Sequence, residues 1–306
     1  MTVQTPEHTA RLKAPAASGS ASIVTASYAP DFERCRLLCE TIDQHVSGHT
    51  MHYLLVEDRD VELFRQLESS RRTVIGERDL LPSWLRPYWD PSSFFRRRIW
   101  LSTRTKPLRG WHVQQLRRIA IAHASRDENL IYIDSDVAFV RPFDTHAFSQ
   151  DGRTRLFRRE NGLAAAATPD HRPWHANAAA LLGIATPEVS PHDYITTLVA
   201  WRRQSVLDMC AHIENRSGRS WVEAIASERK FSECTIYGRY VDEVTGGADH
   251  FHAGVEFCHV HWHGEPMSEA QLRSFVAGMG SQQVAIGLQS FIGTDLPQLR
   301  RVLALG

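Results

Sequence analysis

The stretch Leu130-Ile131-Tyr132-Ile133-Asp134-Ser135-Asp136-Val137-Ala138-Phe139-Val140 decides the fold class. Its first apolar run is too short for a helix and delivers two carboxylates at its carboxyl end, where open α/β sheets bind their ligands. If the chain stays extended, Asp134 and Asp136 share one side and offer oxygen ligands to one divalent cation. Such a cation usually also binds diphosphate oxygens. The alternative is an Asx-turn or a solvated strand end.

Strand and helix patterns alternate on the amino-terminal side of this stretch. Strands are predicted at 21–25, 51–56, 72–75 and 129–133, and helices at 31–45, 61–67 and 110–124. This alternation predicts a single α/β domain whose mostly parallel central sheet is flanked by helices. An irregular segment at 79–109 is too long for an ordinary connection.

The pattern is less regular after residue 145. A long helix is predicted near 192–214, further helix at 219–230 and a strand at 255–262. We expect a disordered tail at 1–20, the α/β domain at 21–290 and a tail or helix at 291–306.

The balance of charges argues against a nucleic-acid binder. Lys and Arg number 35, as do Asp and Glu, whereas phosphate-backbone binding normally needs a basic surplus. The longest nearly apolar stretch, 176–185, is far shorter than the roughly 20 residues that cross a bilayer. Residues 1–20 lack the apolar segment of a secretory signal, and no Cys-x-x-Cys occurs. We therefore expect a cytoplasmic protein with reduced thiols, and peripheral contact with a membrane stays open.

A basic block at 94–118 interrupts this neutrality. It contains no Asp or Glu, and its basic residues are Arg96, Arg97, Arg98, Arg104, Lys106, Arg109, Arg117 and Arg118. Such a local positive field suits a diphosphate or a phosphorylated acceptor. A solvated surface interleaved with aromatic residues is the alternative, and the run alone does not exclude nucleic acid.

The predicted helix at 110–124 has one polar face. Trp111, Gln114, Gln115 and Arg118 fall on it at helical spacing. We expect Gln114, Gln115 and Arg118 to contact sugar hydroxyls or phosphate, with ordinary solvent exposure as the alternative.

Five of the sixteen histidines lie within 250–263. If 255–263 is extended, His259, His261 and His263 share one face, and an apolar face lies opposite. The histidine face can hold a metal. His259, His261 and Glu265 also imitate the first metal motif of cupins, which bind transition metals on a β-barrel. Because the chain is rich in helix patterns and has one such cluster, a cupin-type metal enzyme is the weaker alternative.

With an Asp-x-Asp motif after a central strand, the chain resembles the GT-A class of nucleotide-sugar glycosyltransferases over about 20–265. It most resembles an uncharacterised group of bacterial proteins that share four motifs. These are, in order, Gly110-Trp111-His112-Val113-Gln114-Gln115, Asp134-Ser135-Asp136, Phe231-Ser232-Glu233 and Tyr237-Gly238. The resemblance implies a GT-A-like, Rossmann-type sheet. It also implies transfer of a sugar from a UDP- or GDP-sugar to a hydroxyl of a glycan, lipid-linked or small-molecule acceptor.

The resemblance implies a ligand set for Mn²⁺ or Mg²⁺. Asp136 would bind the metal directly, and Asp134 would bind the metal or the ribose. His261 lies in His261-Trp262-His263-Gly264, which is similar to a late His-aromatic-x-Gly motif of several GT-A families. It would be the third protein ligand, with His263 and His259 as substitutes. In retaining families a Lys and a Pro-Trp follow this motif, whereas Glu265-Pro266-Met267 stands here.

The first loop after a strand, with Thr25, Ala26 and Tyr28, would lie near the nucleotide base. An inverting transfer also needs a carboxylate that removes the proton of the acceptor hydroxyl. The resemblance puts Glu233 at such a location, with a helix-cap or salt-bridge role as the alternative. Asp193 is a second candidate base, or else the N-cap of a long helix. A retaining mechanism needs no such base.

The sequence lacks the motifs that are typical of several other enzyme classes. No Gly-x-Gly-x-x-Gly follows a strand, and Walker A, Gly-x-Ser-x-Gly and His-Glu-x-x-His motifs do not occur. The alternative from another class is a non-catalytic GT-A-like protein that binds nucleotide sugars or carbohydrate.

Overall fold

The computed structural model describes residues 19–165 and 169–304. Except for Gly19 and Ser20, the predicted tail at 1–20 lies outside these residues, as do the last two residues of 291–306. The strands of the described residues are β1 (Ala21–Ala26), β2 (Val46–Ser47), β3 (His49–Val56), β4 (Arg72–Gly76), β5 (Arg86–Trp89), β6 (Arg98–Leu101), β7 (Leu108–Arg109), β8 (Asn129–Ile133), β9 (Val137–Phe139), β10 (Phe143–Asp144), β11 (Ser149–Gln150), β12 (Arg153–Phe157), β13 (Leu198–Arg202), β14 (His250–Ala253), β15 (Cys258–His261) and β16 (Ala285–Leu288). The α-helices are α1 (Phe32–His45), α2 (Val61–Phe64), α3 (Gly110–Ala124), α4 (Gly162–Ala165), α5 (His171–Leu182), α6 (Arg203–Ser217), α7 (Trp221–Ala226), α8 (Glu233–Arg239), α9 (Glu269–Ala277) and α10 (Leu296–Val302).

Five strands of the described residues form the central sheet, in the order β13-β8-β1-β3-β4. β8, β1, β3 and β4 run parallel, and β13 pairs antiparallel with β8 at one edge. Every residue of β1 and β8 is buried, as expected of parallel strands covered on both faces. The prediction of an α/β domain with a mostly parallel central sheet is therefore confirmed.

Helices cover both faces of this sheet because successive strand residues point to opposite sides. On one face Val24 and Tyr132 pack in a cluster with Val113, Leu116 and Ile119 of α3. On the other face the strands and α1 share a second cluster, which includes Ile23, Ile131, Ile133, Leu38 and Ile42. α3 and β8 have the predicted bounds.

Smaller sheets surround the central one. β9 continues the chain just after Asp136 and lies in a sheet with β16 and β15. The segment predicted to be irregular, 79–109, contains the antiparallel strands β5, β6 and β7. α10, within 291–306, packs through Leu299 in a cluster that also contains Leu37 of α1.

The predicted helix near 192–214 is wrong in its first half. Residues 198–202 form strand β13, and α6 begins only at Arg203. Leu198, Val199, Ala200 and Trp201 are all buried, because the two core clusters cover both faces of this strand. A continuous buried run has no strand periodicity, so the sequence pattern did not separate it from the helix that follows.

Two further helix predictions were too long. The helix predicted at 61–67 is one α-turn, α2, followed by a 3-10 turn over Arg65–Leu67. The helix predicted at 219–230 is α7, over Trp221–Ala226. No helix in the described ranges has the length and apolar character needed to cross a bilayer.

The Tyr237-Gly238 motif has a packing role. A β-carbon on Gly238 would lie 2.3 Å from the ring of Tyr194, and Tyr194 is fixed by a 2.8 Å hydrogen bond that its hydroxyl donates to Asp242. We expect Gly238→Ala to lower the free energy of unfolding by about 1–3 kcal/mol through overpacking, as measured by urea denaturation.

Gly110→Ala is the matched control for this substitution. A β-carbon there would meet its nearest neighbour, Trp100, only at 4.0 Å. Its unfolding free energy should stay the same or rise by up to about 1 kcal/mol. Equal stabilities of the two variants would contradict the tight packing of Gly238 against Tyr194.

Candidate functional site

Acidic residues collect where the parallel strands of the central sheet end. Glu57, Glu77 and Asp134 directly follow β3, β4 and β8. Because these strands are parallel, their carboxyl ends meet at one side of the sheet, which we call the carboxyl edge. The antiparallel β13 begins at the same edge, where the carbonyl of Thr197 accepts a 3.2 Å hydrogen bond from the Asp134 amide.

Asp134 and Asp136 lie in a turn between β8 and β9, so the chain is not extended there as assumed from the sequence. The Val137 amide donates to the Asp134 carbonyl at 3.3 Å and closes the turn. Both Asp side chains remain half-buried, whereas the intervening Ser135 is buried. Asp136 Oδ2 accepts a 2.9 Å hydrogen bond from the Ser290 amide. Among the described residues, its buried Oδ1 has no hydrogen-bond partner.

Arg118 joins three of the sequence motifs. Its Nη1 lies 3.3 Å from Asp134 Oδ1 and 3.1 Å from Glu233 Oε1. The Glu233 amide in turn donates to Gln115 Oε1 at 2.9 Å. The polar face of α3, the Asp-Ser-Asp turn and the start of α8 therefore meet at the carboxyl edge.

Aromatic rings fix the position of the Arg118 guanidinium. Its carbon lies 5.0 Å from the ring centre of Tyr132 and 5.9 Å from that of Trp201. The Tyr132 hydroxyl donates to the Arg118 carbonyl at 2.9 Å. Only 8% of Arg118 is exposed, so its charge is held in place rather than free to sample solvent.

The carboxyl groups of the turn have raised pKa values. Burial raises the pKa of Asp134 to about 6, with a contribution from Glu233, while Arg118 opposes the shift. Burial also raises the pKa of Asp136 to about 7, and the neighbouring Asp134 charge adds to it. A divalent cation bound between the two carboxylates would remove the repulsion between them.

These residues fit a hard divalent cation. Carboxylate oxygens are suitable ligands, and Asp136 Oδ1 is an oxygen without a partner among the described residues. Mg²⁺ is commonly held by one or two carboxylates, completed by waters and substrate phosphates. Two protein ligands are therefore enough for such a site.

The structure does not bring His261 to this pair. His259 and His261 do share one face of β15, but that face packs on Phe275 of α9, with ring centres 4.2 and 6.1 Å apart. His261 Nε2 lies 3.4 Å from the Glu265 carbonyl, and His263 is exposed. No group of three or more His, Cys, Asp or Glu side chains arranged to bind a metal is found in the described residues. The predicted three-ligand set is therefore not assembled here.

The cupin alternative has no counterpart in this architecture. β15 lies in a small three-stranded sheet, and the largest sheet of the described residues is mostly parallel and covered by helices. His250 and His252 are engaged elsewhere, with Tyr237 at 2.8 Å and Asp242 at 2.6 Å. The histidines at 250–261 therefore make separate contacts and do not meet in one metal centre.

Glu233 is buried at the first turn of α8, which Ser232 caps. The salt-bridge role that the sequence left open is realised, because Glu233 pairs with Arg118. This pairing also directs its carboxylate towards Asp134. The role of general base stays a prediction.

Asp193 lies in a separate ion pair. The next regular element after Asp193 is strand β13 and not a helix, so the N-cap alternative is wrong. Instead, its Oδ1 accepts a 3.1 Å hydrogen bond from the Ile195 amide. Its Oδ2 lies 3.5 Å from Arg159, which also pairs with Glu256. Burial, together with the charges of Glu233, Asp134 and Asp193, raises the pKa of the Cys234 thiol, so Asp193 lies close enough to affect the site electrostatically.

The residues predicted to lie near a base or sugar are unequally accessible. Thr25 is buried with its hydroxyl 3.0 Å from His52 Nε2, and Ala26 is buried beside it in β1. Tyr28 is 42% exposed, and Gln114 of α3 is half-buried. Tyr28 and Gln114 are therefore the members of this set that a ligand can reach.

The carboxyl edge has a second acidic group, Glu57 and Glu77, that was not predicted as part of a site from the sequence. Arg117 is buried near Glu57 and Glu77, whose charges oppose the lowering of the pKa of Arg117 by burial. Trp100 Nε1 donates to Glu77 at 3.1 Å, and burial raises the pKa of Glu77 to about 7. A signal was available, because Glu57 directly follows one predicted strand and Glu77 lies two residues beyond the end of another. Ser290 and Trp201 carried no comparable signal.

Most of the chain has a counterpart among protein families. The profile of a protein family described as "Family of unknown function (DUF6492)" matches residues 20–302. No curated protein shows significant sequence similarity to the chain.

The stabilising effect of Mn²⁺ should depend on pH. The folded chain holds protons on Asp134 and Asp136 up to about pH 6–7, whereas the unfolded chain releases them near the ordinary value of 3.8. Between these values, stability without metal should fall as the pH rises. Mn²⁺ needs the ionised pair, so it should raise the melting temperature at pH 7.5 and have little effect at pH 5. At a hundredfold its dissociation constant, the stabilisation is about 2.7 kcal/mol.

Thermal unfolding with and without Mn²⁺ measures this effect. Asp136→Asn should abolish the shift at pH 7.5, and Asp208→Asn, at an exposed position on α6, should leave it intact. A shift of equal size at both pH values would show that Mn²⁺ binds elsewhere.

Removing the Arg118 charge should destabilise the fold in a pH-dependent way. Arg118→Gln leaves the buried Glu233 and the half-buried Asp134 without their cation, at an expected cost of about 3–5 kcal/mol at pH 7.5. Urea denaturation should show a smaller cost at pH 5, where protonation relieves Asp134. Arg118→Gln combined with Glu233→Gln should regain part of the loss. Equal costs at both pH values would contradict this electrostatic account.

Proposed function

The chain belongs to the DUF6492 family, and we propose that it is a divalent-metal-dependent glycosyltransferase. It would move a sugar from a UDP- or GDP-sugar to an acceptor hydroxyl. The observation that carries the proposal is the carboxylate pair in the turn after β8, in which Asp136 Oδ1 is buried with no partner among the described residues. Such a pair at the carboxyl ends of parallel strands suits a metal that also binds a diphosphate.

Asp134 and Asp136 would hold the Mn²⁺ or Mg²⁺. When bound, the metal would stabilise the negative charge that develops on the leaving diphosphate. The Ser290 amide fixes the direction of the Asp136 carboxylate through its 2.9 Å hydrogen bond. Arg118 balances Asp134 from the other side and keeps its carboxylate in place.

Glu233 is the better supported of the two candidate bases. Its carboxylate lies across Arg118 from Asp134, at the same edge as the proposed donor site. In an inverting reaction it would take the proton of the acceptor hydroxyl as the sugar is attacked. The carboxylate of Asp193 is occupied by the Ile195 amide and Arg159, which leaves it less free to accept a proton.

A non-catalytic GT-A-like protein that binds nucleotide sugar or carbohydrate is the second candidate, and the space beside Asp136 bears on both candidates. The cavity beside Asp136, lined by Arg34, Leu37 and Leu288 among others, has a volume of about 10 Å³. Small-molecule sites commonly measure about 300–1,000 Å³. A donor that enters this cavity, in either candidate, would therefore require the lining residues to move apart.

Donor binding and turnover separate the two candidates. UDP-, GDP- and CDP-sugars are titrated calorimetrically with Mn²⁺ present, and hydrolysis or transfer is then measured for the donor that binds. Asp136→Asn should lose metal-dependent donor binding. Glu233→Gln should keep the donor dissociation constant and lower kcat by about 10²–10⁴-fold.

Glu62→Gln is the matched control for Glu233→Gln, because Glu62 lies on α2 with its side chain exposed. It should retain both donor binding and turnover. Donor binding by the wild-type protein without any turnover would favour the non-catalytic candidate. Full metal-dependent binding by Asp136→Asn would overturn the assigned metal site.

A further inference from the structure

We propose that the hairpin of β5 and β6, residues 86–101, docks the protein on an anionic lipid surface. The inference is drawn from the surface chemistry of this hairpin. It does not depend on whether the protein transfers sugar.

The tip of the hairpin exposes two adjacent phenylalanines. Phe94 is 86% exposed and Phe95 is 62% exposed, and Tyr88 and Trp89 on β5 are about half exposed. A contiguous apolar patch on a protein surface usually marks contact with another protein or with a membrane. Tyr and Trp beside Phe are the residues enriched where a membrane meets water.

The backbone of the tip is ordered around these rings. The Asp90 amide donates to the Arg97 carbonyl at 2.9 Å, and the Phe95 amide donates to the Asp90 carbonyl at 3.1 Å. Phe94 and Phe95 both have positive φ angles, 52° and 60°, which bulky residues rarely adopt. The hydrogen bonds hold this unfavourable conformation and keep both rings in solvent.

Arginines surround the exposed rings. A cavity of about 290 Å³ at the tip is lined by Asp90, Ser92, Ser93, Arg96, Arg97 and Arg109. The three arginines outnumber the single carboxylate of Asp90, so the net charge of the lining is positive. The combination of apolar rings with a basic cavity favours a surface that offers both acyl chains and phosphate groups.

Two arginines lie beside the exposed ring of Trp89. The guanidinium carbons of Arg59 and Arg98 lie 5.0 and 5.2 Å from its ring centre. The segment 86–109 contains seven Lys and Arg residues and one acidic residue, Asp90. This charge is complementary to an anionic leaflet, whereas an apolar protein groove would leave the arginines unpaired.

The hairpin lies near the first loop of the carboxyl edge. The charge of Arg97 acts on Tyr28, opposing the increase in the Tyr28 pKa that burial causes. Docking through the hairpin would therefore keep the carboxyl edge close to the bilayer. If the proposed function holds, a lipid-linked acceptor is the acceptor class that this arrangement favours.

Sedimentation with vesicles tests the proposal. The full chain is mixed with phosphatidylcholine vesicles, either pure or containing about one third phosphatidylglycerol. We expect binding to the anionic vesicles that weakens as NaCl is added. Phe94→Ser with Phe95→Ser should abolish it, and Arg96→Gln with Arg97→Gln should weaken it about thirtyfold.

Arg153→Gln with Arg172→Gln is the matched control. It removes the same charge from exposed arginines of β12 and α5, and its vesicle binding should equal that of the wild-type protein. Circular dichroism verifies that each variant is folded. Failure of the wild-type protein to bind anionic vesicles would overturn the proposal, as would full binding by the folded Phe94→Ser/Phe95→Ser variant.

Two other occupants of the hairpin would each give a distinct result. If the tip docks on a second copy of the chain, light scattering would show a dimer that the phenylalanine variant loses, without vesicle binding. If the cavity takes only free phosphate, inorganic phosphate would bind in calorimetry while vesicles do not. Either result would overturn the membrane assignment.

Discussion

The buried guanidinium of Arg118 is the interaction on which the arrangement of this protein depends. A charge removed from water is tolerated only where partners of opposite charge and hydrogen-bond acceptors surround it. Arg118 of α3 meets this condition with carboxylates from the turn after β8 and from α8, and with the rings of Tyr132 and Trp201. The need to compensate this one charge therefore fixes α3, α8, β8 and β13 relative to one another. It also explains why Arg118 and Glu233, which lie far apart in the chain, meet at the carboxyl edge.

The neighbouring Arg117 is compensated less completely, because its buried Nε and Nη1 have no hydrogen-bond partner among the described residues. Consecutive helix residues point in directions about 100° apart, so Arg117 faces the acidic residues after β3 and β4 while Arg118 faces those after β8 and in α8. The acidic carboxyl edge is thereby largely neutralised from one helix. Asp136 is different, because it lies farther along the turn and receives a backbone amide on one oxygen. Groups with strongly shifted pKa values cluster at functional sites in proteins, and Asp136, whose pKa is raised to about 7, is such a group.

Much of the fold was predictable because short runs of consecutive residues determine its helices and strands. β8 and α3 were predicted with the bounds they have, since each is a continuous apolar or amphipathic run ended by clear signals. The Asp-Ser-Asp motif, Gln115, Arg118 and Glu233 were also identified, and the structure brings Asp134, Gln115, Arg118 and Glu233 into contact. The helix predicted near 192–214 was wrong in its first half. Both faces of β13 are buried, so its residues do not alternate between apolar and polar. The metal role of His261 was inferred from a local motif, whereas the direction of the histidine face is set by the packing of Phe275.

The sequence by itself determined an α/β chain, its mostly parallel sheet and a pair of carboxylates at the end of a central strand. Strand length, apolar periodicity and the residues that directly follow a strand are properties of a few consecutive residues, so they can be read without a structure. Only the tertiary structure decided which charges are paired: Arg118 with Asp134 and Glu233, Arg159 with Asp193 and Glu256, and Asp136 with a backbone amide from Ser290. Pairing depends on distances between residues far apart in the chain, and those distances exist only once the layers have packed. The same reason applies to the Phe94–Phe95 tip, whose exposure follows from the fold of the surrounding hairpin and not from the apolar character of its residues.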